Sequence, residues 1–335
     1  MSYTSGPLVS IIIPTFNRRE LLPGAVESCL AQTYAAIEII IVDDGSTDET
    51  QQMVAARMCG DWAGKIVYHY KPNGGASSAK NEGMKMARGE YIQFLDSDDM
   101  LRPEKIHRQM EAILAVGGNV DGCVCYGRLG SMADGWDAAH RIGECCQNVE
   151  TFIRRQCERT IHILHTEAPL WRRGFLLEEL GWREDLSVAE EWEYYIRLLA
   201  KRPRLASVNA ELFFVRAHAG EQLSKNFQSL SHSLSFYKAV RAVHDLLQDT
   251  PFWVAEVRAG LLLRARTTYI NLLRCGDEGT IQDYEDWFMK LAGAVPDRKI
   301  RTAVLLRRRM GKSFALKIFD TIRRPQPAAN VSHPS

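Results

Sequence analysis

Three carboxylates crowd together in Phe94-Leu95-Asp96-Ser97-Asp98-Asp99, immediately after an apolar run. Like charges at the end of a buried strand disfavour one another's ionised form unless a cation shares them. On an extended chain, residues two apart point to the same side, so Asp96 and Asp98 converge on one Mg2+ or Mn2+. Such hard cations take oxygen ligands and keep positions open for phosphate. The competing account is a solvated turn whose aspartates cap the helix entered at Pro103. Asp43-Asp44-Gly45-Ser46-Thr47-Asp48 is a second acidic turn. Ser46 or Thr47 suits the cap of a following helix, with Asp48 and Glu49 favoured in its first turn. Capping accounts less well for Asp43, adjacent to an apolar strand, where a carboxylate can accept from a ring N–H or a ribose hydroxyl. Asn73-Gly74-Gly75-Ala76-Ser77-Ser78-Ala79-Lys80-Asn81 is a glycine-bearing loop entering a helix, with free backbone N–H groups and a lysine suited to phosphate or nucleotide. Neither G-x-x-x-x-G-K-[ST] nor G-x-G-x-x-G occurs.

These three loops need a scaffold that brings them together. Apolar runs at Val9–Ile13, Glu38–Val42, Ile66–Tyr70 and Tyr91–Leu95 are continuous rather than alternating, which is the pattern of strands buried on both faces. Between and after them, Glu20–Ala31, Asp48–Met58, Ser77–Ala87 and residues 104–116 carry apolar side chains at helical spacing. Strand and helix in alternation predict an α/β fold: a mostly parallel, open twisted sheet flanked by helices, with right-handed crossovers. Ligands in such sheets sit beyond the carboxyl ends of the strands, where the acidic and glycine-bearing turns fall.

The chain has 335 residues, enough for one large domain or two smaller ones. Forty-two Lys and Arg against forty-one Asp and Glu leave a net charge of +1, so no global affinity for nucleic acid is expected. No charged segment followed by a long apolar stretch opens the chain, and no window approaches the ~20 apolar residues that span a bilayer. The expected location is the cytoplasm. Eight cysteines, without C-x-x-C spacing in Cys123-Val124-Cys125 or Cys145-Cys146, are expected as reduced, buried or partly buried apolar residues rather than as bridges or zinc ligands.

Four motifs in order resemble the family 2 inverting glycosyltransferases of the GT-A fold. They are Val9–Pro14 with Thr15-Phe16-Asn17-Arg18; Ile41 to Asp48; Asn73-Gly74-Gly75 with Lys80-Asn81-Glu82-Gly83; and Gly89-Glu90-Tyr91-Ile92 with Phe94 to Asp99. The resemblance covers about residues 8–115 and continues more faintly to about 224. It implies a GT-A domain over 1–226, with a nucleotide-binding half at 8–115 and an acceptor half at 116–226. Pro14, Thr15, Asn17 and Asp43 then line the nucleotide base, with Asp44, Asn73 and Lys80 nearby. Asp96 and Ser97 meet the ribose, and Asp98 with Asp96 holds a divalent cation (Mn2+ or Mg2+) on the diphosphate. At Lys80 the family commonly has arginine, which replaces a bidentate fork by a point charge.

Downstream, Ala189-Glu190-Glu191-Trp192 resembles the family's Glu-Asp motif. Glu191 stands at the position of the catalytic base and Glu190 is the second candidate; an ordinary acidic first helical turn is the competing account. By the same resemblance His218 reaches the metal or diphosphate, and Trp171 and Arg172 border the acceptor, Trp171 either stacking on a sugar or packing in the core. The implied reaction moves a sugar from a nucleotide-diphosphate sugar, UDP-linked by preference, to a glycan or lipid-linked acceptor in cell-surface polysaccharide, lipopolysaccharide or glycoconjugate synthesis. The Gln-x-x-Arg-Trp motif of the processive synthases is absent, so one or few transfers per encounter are expected. A sugar nucleotidyltransferase and a catalytically silent glycan- or nucleotide-binding protein are the alternatives. The first would carry a basic glycine-rich loop directly after the first strand, where Pro14-Thr15-Phe16-Asn17 stands.

From Phe227 the pattern turns helical, with candidate helices at Leu230–Leu247, Val254–Leu273 and Thr280–Leu291. Residues 299–324 form a basic amphipathic segment and 325–335 a tail of disordered composition, so 227–324 reads as a helical C-terminal extension. The basic segment suits either the anionic inner face of a membrane or docking on the domain with a solvated cationic face.

Overall fold

The computed structural model describes residues 6–131, 139–143, 148–158, 164–178, 181–217, 229–293, 298–313 and 315–317. His218, the Cys145-Cys146 pair and the 325–335 tail lie outside the described residues.

Four parallel strands form the first part of the sheet: β1 (Val9–Thr15), β2 (Ile37–Asp43), β3 (Ile66–Tyr70) and β4 (Tyr91–Phe94). They are ordered β3-β2-β1-β4, with Val9 beside both Ile37 and Tyr91. Helices α1 (Leu22–Leu30), α2 (Thr50–Met58), α3 (Ala76–Met86) and α4 (Lys105–Ala115) follow the apolar periodicity of the sequence. β1 runs through Pro14 to Thr15 instead of stopping at the proline. Leu95 N–H bonds the Ile12 carbonyl and Asp44 N–H bonds the Thr15 carbonyl, so the Pro14 nitrogen faces the side where β4 has already left. No ladder bond is lost there.

The second half extends the sheet with β5 (Met100–Leu101), β6 (Gly122–Gly130), β7 (His140–Ile142), β8 (Leu170–Arg172) and β9 (Leu205–Arg216). The whole order is β3-β2-β1-β4-β8-β6-β9-β5, with β7 on β6. β8 lies antiparallel to β4, pairing Gln93 with Leu170 and Tyr91 with Arg172. Helices α5 (Val149–Glu158), α6 (Arg173–Glu178) and α7 (Glu190–Ala200) complete this half. α8 (Leu230–Leu247), α9 (Ala255–Cys275), α10 (Glu278–Gly293) and α11 (Arg298–Met310) follow. Ser235 Oγ donates to the Val188 carbonyl and accepts from the N–H groups of Ser187 and Val188, which ties α8 to the loop before α7. Among the described residues no helix is long and apolar enough to cross a membrane.

α11 docks on the protein through its cations. Arg307 is nearly buried and bonds both oxygens of Glu285 at 2.7 Å and Glu278 at 2.5 Å; Arg308 bonds Glu285 and Asp286. The docked alternative therefore accounts for this stretch of the basic segment. Of the described cysteines, Cys29, Cys123, Cys125 and Cys157 are buried and Cys275 is half-buried, as expected, whereas Cys59 is exposed at the end of α2.

α3 approaches β1 so closely that a Cβ on Gly83 would lie 2.3 Å from Ile12 Cγ2. We expect Gly83→Ala to destabilise the protein by about 1–3 kcal/mol through overpacking, partly offset by alanine's better helix propensity. A urea midpoint equal to or above that of the wild type would contradict this.

Candidate active site

The expected motifs meet at the carboxyl edge of the parallel strands. Asp43 is fully buried at the end of β2, and its carboxylate accepts from Ser46 N–H at 2.8 Å and Tyr68 O–H at 2.6 Å. Asp44 turns toward the glycine loop. It accepts from the N–H groups of Gly74 and Gly75 at 2.9 and 2.7 Å and from Lys71 Nζ at 2.6 Å, while its carbonyl accepts from Asn73 Nδ2 at 2.8 Å. Asp44 and Asn73 thus shape the loop. Both carboxylate oxygens of Asp44 accept from within this loop.

Asn17 has a left-handed backbone (φ 53°), a conformation asparagine tolerates. Its Oδ1 accepts from Thr47 N–H at 2.8 Å and Asp48 N–H at 3.2 Å, and its N–H donates to Ser46 Oγ at 2.9 Å. Asn17 therefore holds the turn before α2 by reaching across from β1. The expected local cap by Ser46 or Thr47 does not form, because Ser46 Oγ is engaged by Asn17 and Asp48 Oδ1 accepts from Thr50 N–H. Pro14 and Thr15 close the floor; the Thr15 hydroxyl is buried with no hydrogen-bond partner in the protein.

The acidic segment after β4 is a turn, not an extended chain, since Asp99 N–H bonds the Asp96 carbonyl at 3.0 Å. The alternation that would aim Asp96 and Asp98 together is therefore lost. The carboxylate oxygens that do converge belong to Asp96, Asp99 and Glu167, all within 4.8 Å of one another. An all-oxygen donor set of this kind fits a hard divalent cation. Asp98 lies beside this group, its carboxylate 3.9 Å from Arg18 Nε and its carbonyl bonded by the Arg216 guanidinium. Ser97 is buried in the turn. Asp99 accepts from Arg216 N–H at 2.9 Å, and burial together with Glu167, Asp98 and Asp96 pushes its carboxyl well above the usual range.

No sequence motif marks Glu167. It is 1% exposed, accepts from Asp96 N–H at 3.3 Å, and is pushed up to about 8 by burial and by Asp96. A carboxyl raised in the folded state binds its proton more tightly there than in the unfolded chain. Stability is then highest below the unfolded value and falls as pH rises toward 8. In EDTA, we expect Glu167→Gln to raise the thermal midpoint by several degrees at pH 8 and hardly at pH 5. Parallel wild-type and variant curves across that range would contradict it.

Lys80 is the hub. Its side chain is nearly buried, 3.4 Å from Asp96 Oδ1 and 4.3 Å from the ring of Trp182. Burial alone would lower its pKa, but Asp96, Glu190, Glu191 and Glu167 outweigh it and hold the ammonium charged. Four carboxylates from three separate segments therefore act on one cation. Glu190 and Glu191 open α7, after Ala189 in a left-handed conformation (φ 61°). Both keep some surface in solvent, yet burial is the largest influence on each, as for groups on the floor of a cleft. It raises Glu190 and lifts Glu191 well above the carboxylate range; Lys80 opposes both.

Trp171 and Arg172 do not join this cluster of charged side chains. Trp171 is fully buried and stacked between Phe175 and Tyr195, so it is a core residue. Arg172 pairs with Asp121 at 2.7 Å and sits opposite Tyr91, at the amino end of β4 and away from the acidic turn. The antiparallel direction of β8 is the reason: its residues run away from the cleft as their numbers rise.

The family model for glycosyl transferase family 2 matches residues 10–173. An uncharacterized glycosyltransferase of Rickettsia typhi is 46% identical over 110 residues, which cover 33% of each chain. A putative teichuronic acid biosynthesis glycosyltransferase, TuaG of Bacillus subtilis, is 39% identical over 108 residues, 32% of this chain and 42% of TuaG. These matches therefore span well under two thirds of the relatives' own lengths. The crystal structure of Staphylococcus aureus TarS 1–349 in complex with UDP-GlcNAc superposes with a TM-score of 0.68 at 18% identity, over 94% of this chain and 91% of that one, a likeness of fold. Residues 10–173 form a domain of glycosyltransferase family 2, and the fold is GT-A, followed by a helical C-terminal region.

Proposed function

We propose that this glycosyltransferase inverts the anomeric carbon of a nucleotide-diphosphate sugar, UDP-linked, and passes the sugar to a glycan or lipid-linked acceptor in cell-surface polysaccharide synthesis. The observation that carries the reading is the convergence of Asp96, Glu167, Glu190 and Glu191 on the Lys80 ammonium at the carboxyl edge of the sheet. Direct displacement separates two tasks. The acceptor hydroxyl must lose a proton on one face of the sugar while negative charge grows on the diphosphate at the other. Glu191 takes the proton, with Glu190 as its alternative. Lys80, with its charge retained inside the protein, favours the developing anion. Asp96 and Asp98, with His218 as a third candidate, hold Mn2+ or Mg2+. When bound, the cation supplies charge neutralisation at the leaving diphosphate. Asp43 offers its carboxylate to the base, Thr15 its unpartnered hydroxyl.

Residues 8–115 form the donor half and 116–226 the acceptor half in this reading. Transfer is non-processive, in the cytoplasm or at the inner face of the membrane. TuaG, named for teichuronic acid synthesis, and the TarS complex with UDP-GlcNAc support the polymer class and the uridine donor.

A screen of nucleotide sugars, UDP-GlcNAc among them, read as nucleotide release with Mn2+ and with EDTA, tests this. We expect release from a UDP-sugar that EDTA abolishes and a product of inverted configuration by NMR. Release indifferent to EDTA would remove the metal, retained configuration would remove direct displacement, and no release from any donor would remove transfer.

A further inference from the structure

Residues 166–168 form a short strut between the two halves, and its construction is unusual. Lys105, fully buried, donates from Nζ to Gln93 Oε1 and to Gln109 Oε1, both at 2.5 Å. An ammonium can only donate, so each amide must turn its oxygen to Lys105 and its NH2 away. The two NH2 groups then meet the strut: Gln93 Nε2 donates to the Glu167 carbonyl and Gln109 Nε2 to the Ala168 carbonyl, each at 3.0 Å. Gln93 also bonds the Phe94 carbonyl and Gln109 the Cys123 carbonyl, which anchors the strut to β4 and β6. A buried cation with neutral partners costs desolvation energy that packing an apolar residue would avoid. What it fixes is the place of Thr166.

Thr166 is 2% exposed, and its Oγ1 donates to Glu191 Oε1 at 3.0 Å. We propose that Thr166 is the positioning residue of Glu191, fixing one carboxylate oxygen and with it the orientation of the carboxyl group toward the acceptor hydroxyl. The inference rests on Glu191 being the base. A glutamate has one more rotatable bond than the aspartate that the family motif carries, and an oxygen held from a rigid strut removes that freedom. The hydroxyl also favours the ionised form of the carboxylate, the form a base needs. Among the described residues, charged or titratable groups acting on Glu191 and its surroundings include Lys80 from α3, Asp96 after β4, Glu167 on the strut, and Glu190 and Tyr195 on α7 itself. Lys80 favours ionisation and the carboxylates oppose it, so the Thr166 hydroxyl acts in the same direction as Lys80.

The test is a titration of the full-length protein labelled with 13C at the glutamate carboxyls, in which the Glu191 signal is the one absent from Glu191→Gln. In Thr166→Val its midpoint should rise by about one pH unit, the loss expected for one hydrogen bond to a charged group. In Thr166→Ser it should stay near the wild-type value. With the donor found active in the release screen, Thr166→Val should lower kcat about tenfold and leave KM for the donor unchanged, and Thr166→Ser should restore kcat. Should Thr166→Val not fold, Thr166→Ala removes the same hydroxyl without adding a branch. A wild-type midpoint and kcat in the hydroxyl-free variant overturn the role of Thr166, provided Glu191→Gln is inert. If Glu191→Gln itself turns over normally, the base assignment falls first and the positioning role falls with it.

Discussion

Glu191→Gln should lower transfer turnover by about 10²–10⁴-fold, the usual contribution of a positioned general base, and leave donor affinity as it is. Glutamine keeps the volume of the side chain and still offers Thr166 an acceptor oxygen, so the fold and the 3.0 Å contact persist. Only the capacity to take a proton disappears. Burial and the neighbouring carboxylates raise Glu191 well above the ordinary range. Because the base works deprotonated, the rate should fall as pH drops through this raised value, in an acid limb displaced upward from about 4.3, where free glutamate titrates. The displaced limb should vanish in the variant. Glu190→Gln should have the smaller effect, since no comparable contact to the strut holds Glu190. Normal turnover by Glu191→Gln, with loss in Glu190→Gln, would exchange their roles. Calorimetry of UDP binding separates either result from a damaged donor site.

The parallel half was readable because β1, β2 and β4 are buried on both faces and each turn carries a polar signature; β3, at the sheet edge, is partly exposed instead, with Val67 and Tyr70 in solvent. The four apolar runs are the four parallel strands, and the acidic and glycine-bearing turns fall at one edge because parallel strands share a direction. Three features needed tertiary pairing. Glu167 enters the site because the antiparallel pairing of Gln93 with Leu170 brings the segment before β8 alongside the turn after β4, where Asp96 N–H reaches the Glu167 carboxylate. Spacing within one segment carries no trace of that. The same reversal sends Trp171 and Arg172 to the far end of β4, so residues that sit close in sequence to the acidic cluster's partner lie outside that cluster. The third feature is the turn at Asp96–Asp99. Carboxylate spacing suggested an extended chain, but the Asp99 N–H to Asp96 carbonyl bond curls it and exchanges Asp98 for Asp99 among the converging oxygens. Likewise the basic stretch at Arg307 and Arg308 was ambiguous in sequence, because only the acids of α10 decide whether its charge faces solvent.

That curl makes Asp98 and Asp99 separable by experiment, and Asp98→Asn is expected to weaken Mn2+-dependent UDP binding by on the order of 100-fold. Asp98 keeps about a fifth of its side chain in solvent, and its carboxylate is 3.9 Å from Arg18 Nε, too long for a strong hydrogen bond. Asp99 is in the opposite position. It is nearly buried, accepts from Arg216 N–H, and is held toward the protonated form by burial, Glu167, Asp98 and Asp96. In the metal-free protein its ionisation works against all four. An asparagine at 99 would retain the acceptor that Arg216 requires and remove a carboxyl from a crowded site. We therefore expect Asp99→Asn to fold at least as stably as the wild type near pH 8 and to keep most of its UDP affinity in Mn2+. Calorimetry of UDP binding in Mn2+ and in EDTA decides. Loss in Asp98→Asn alone supports Asp98 as the ligand, whereas loss in Asp99→Asn alone would transfer the metal to the converging set of Asp96, Asp99 and Glu167.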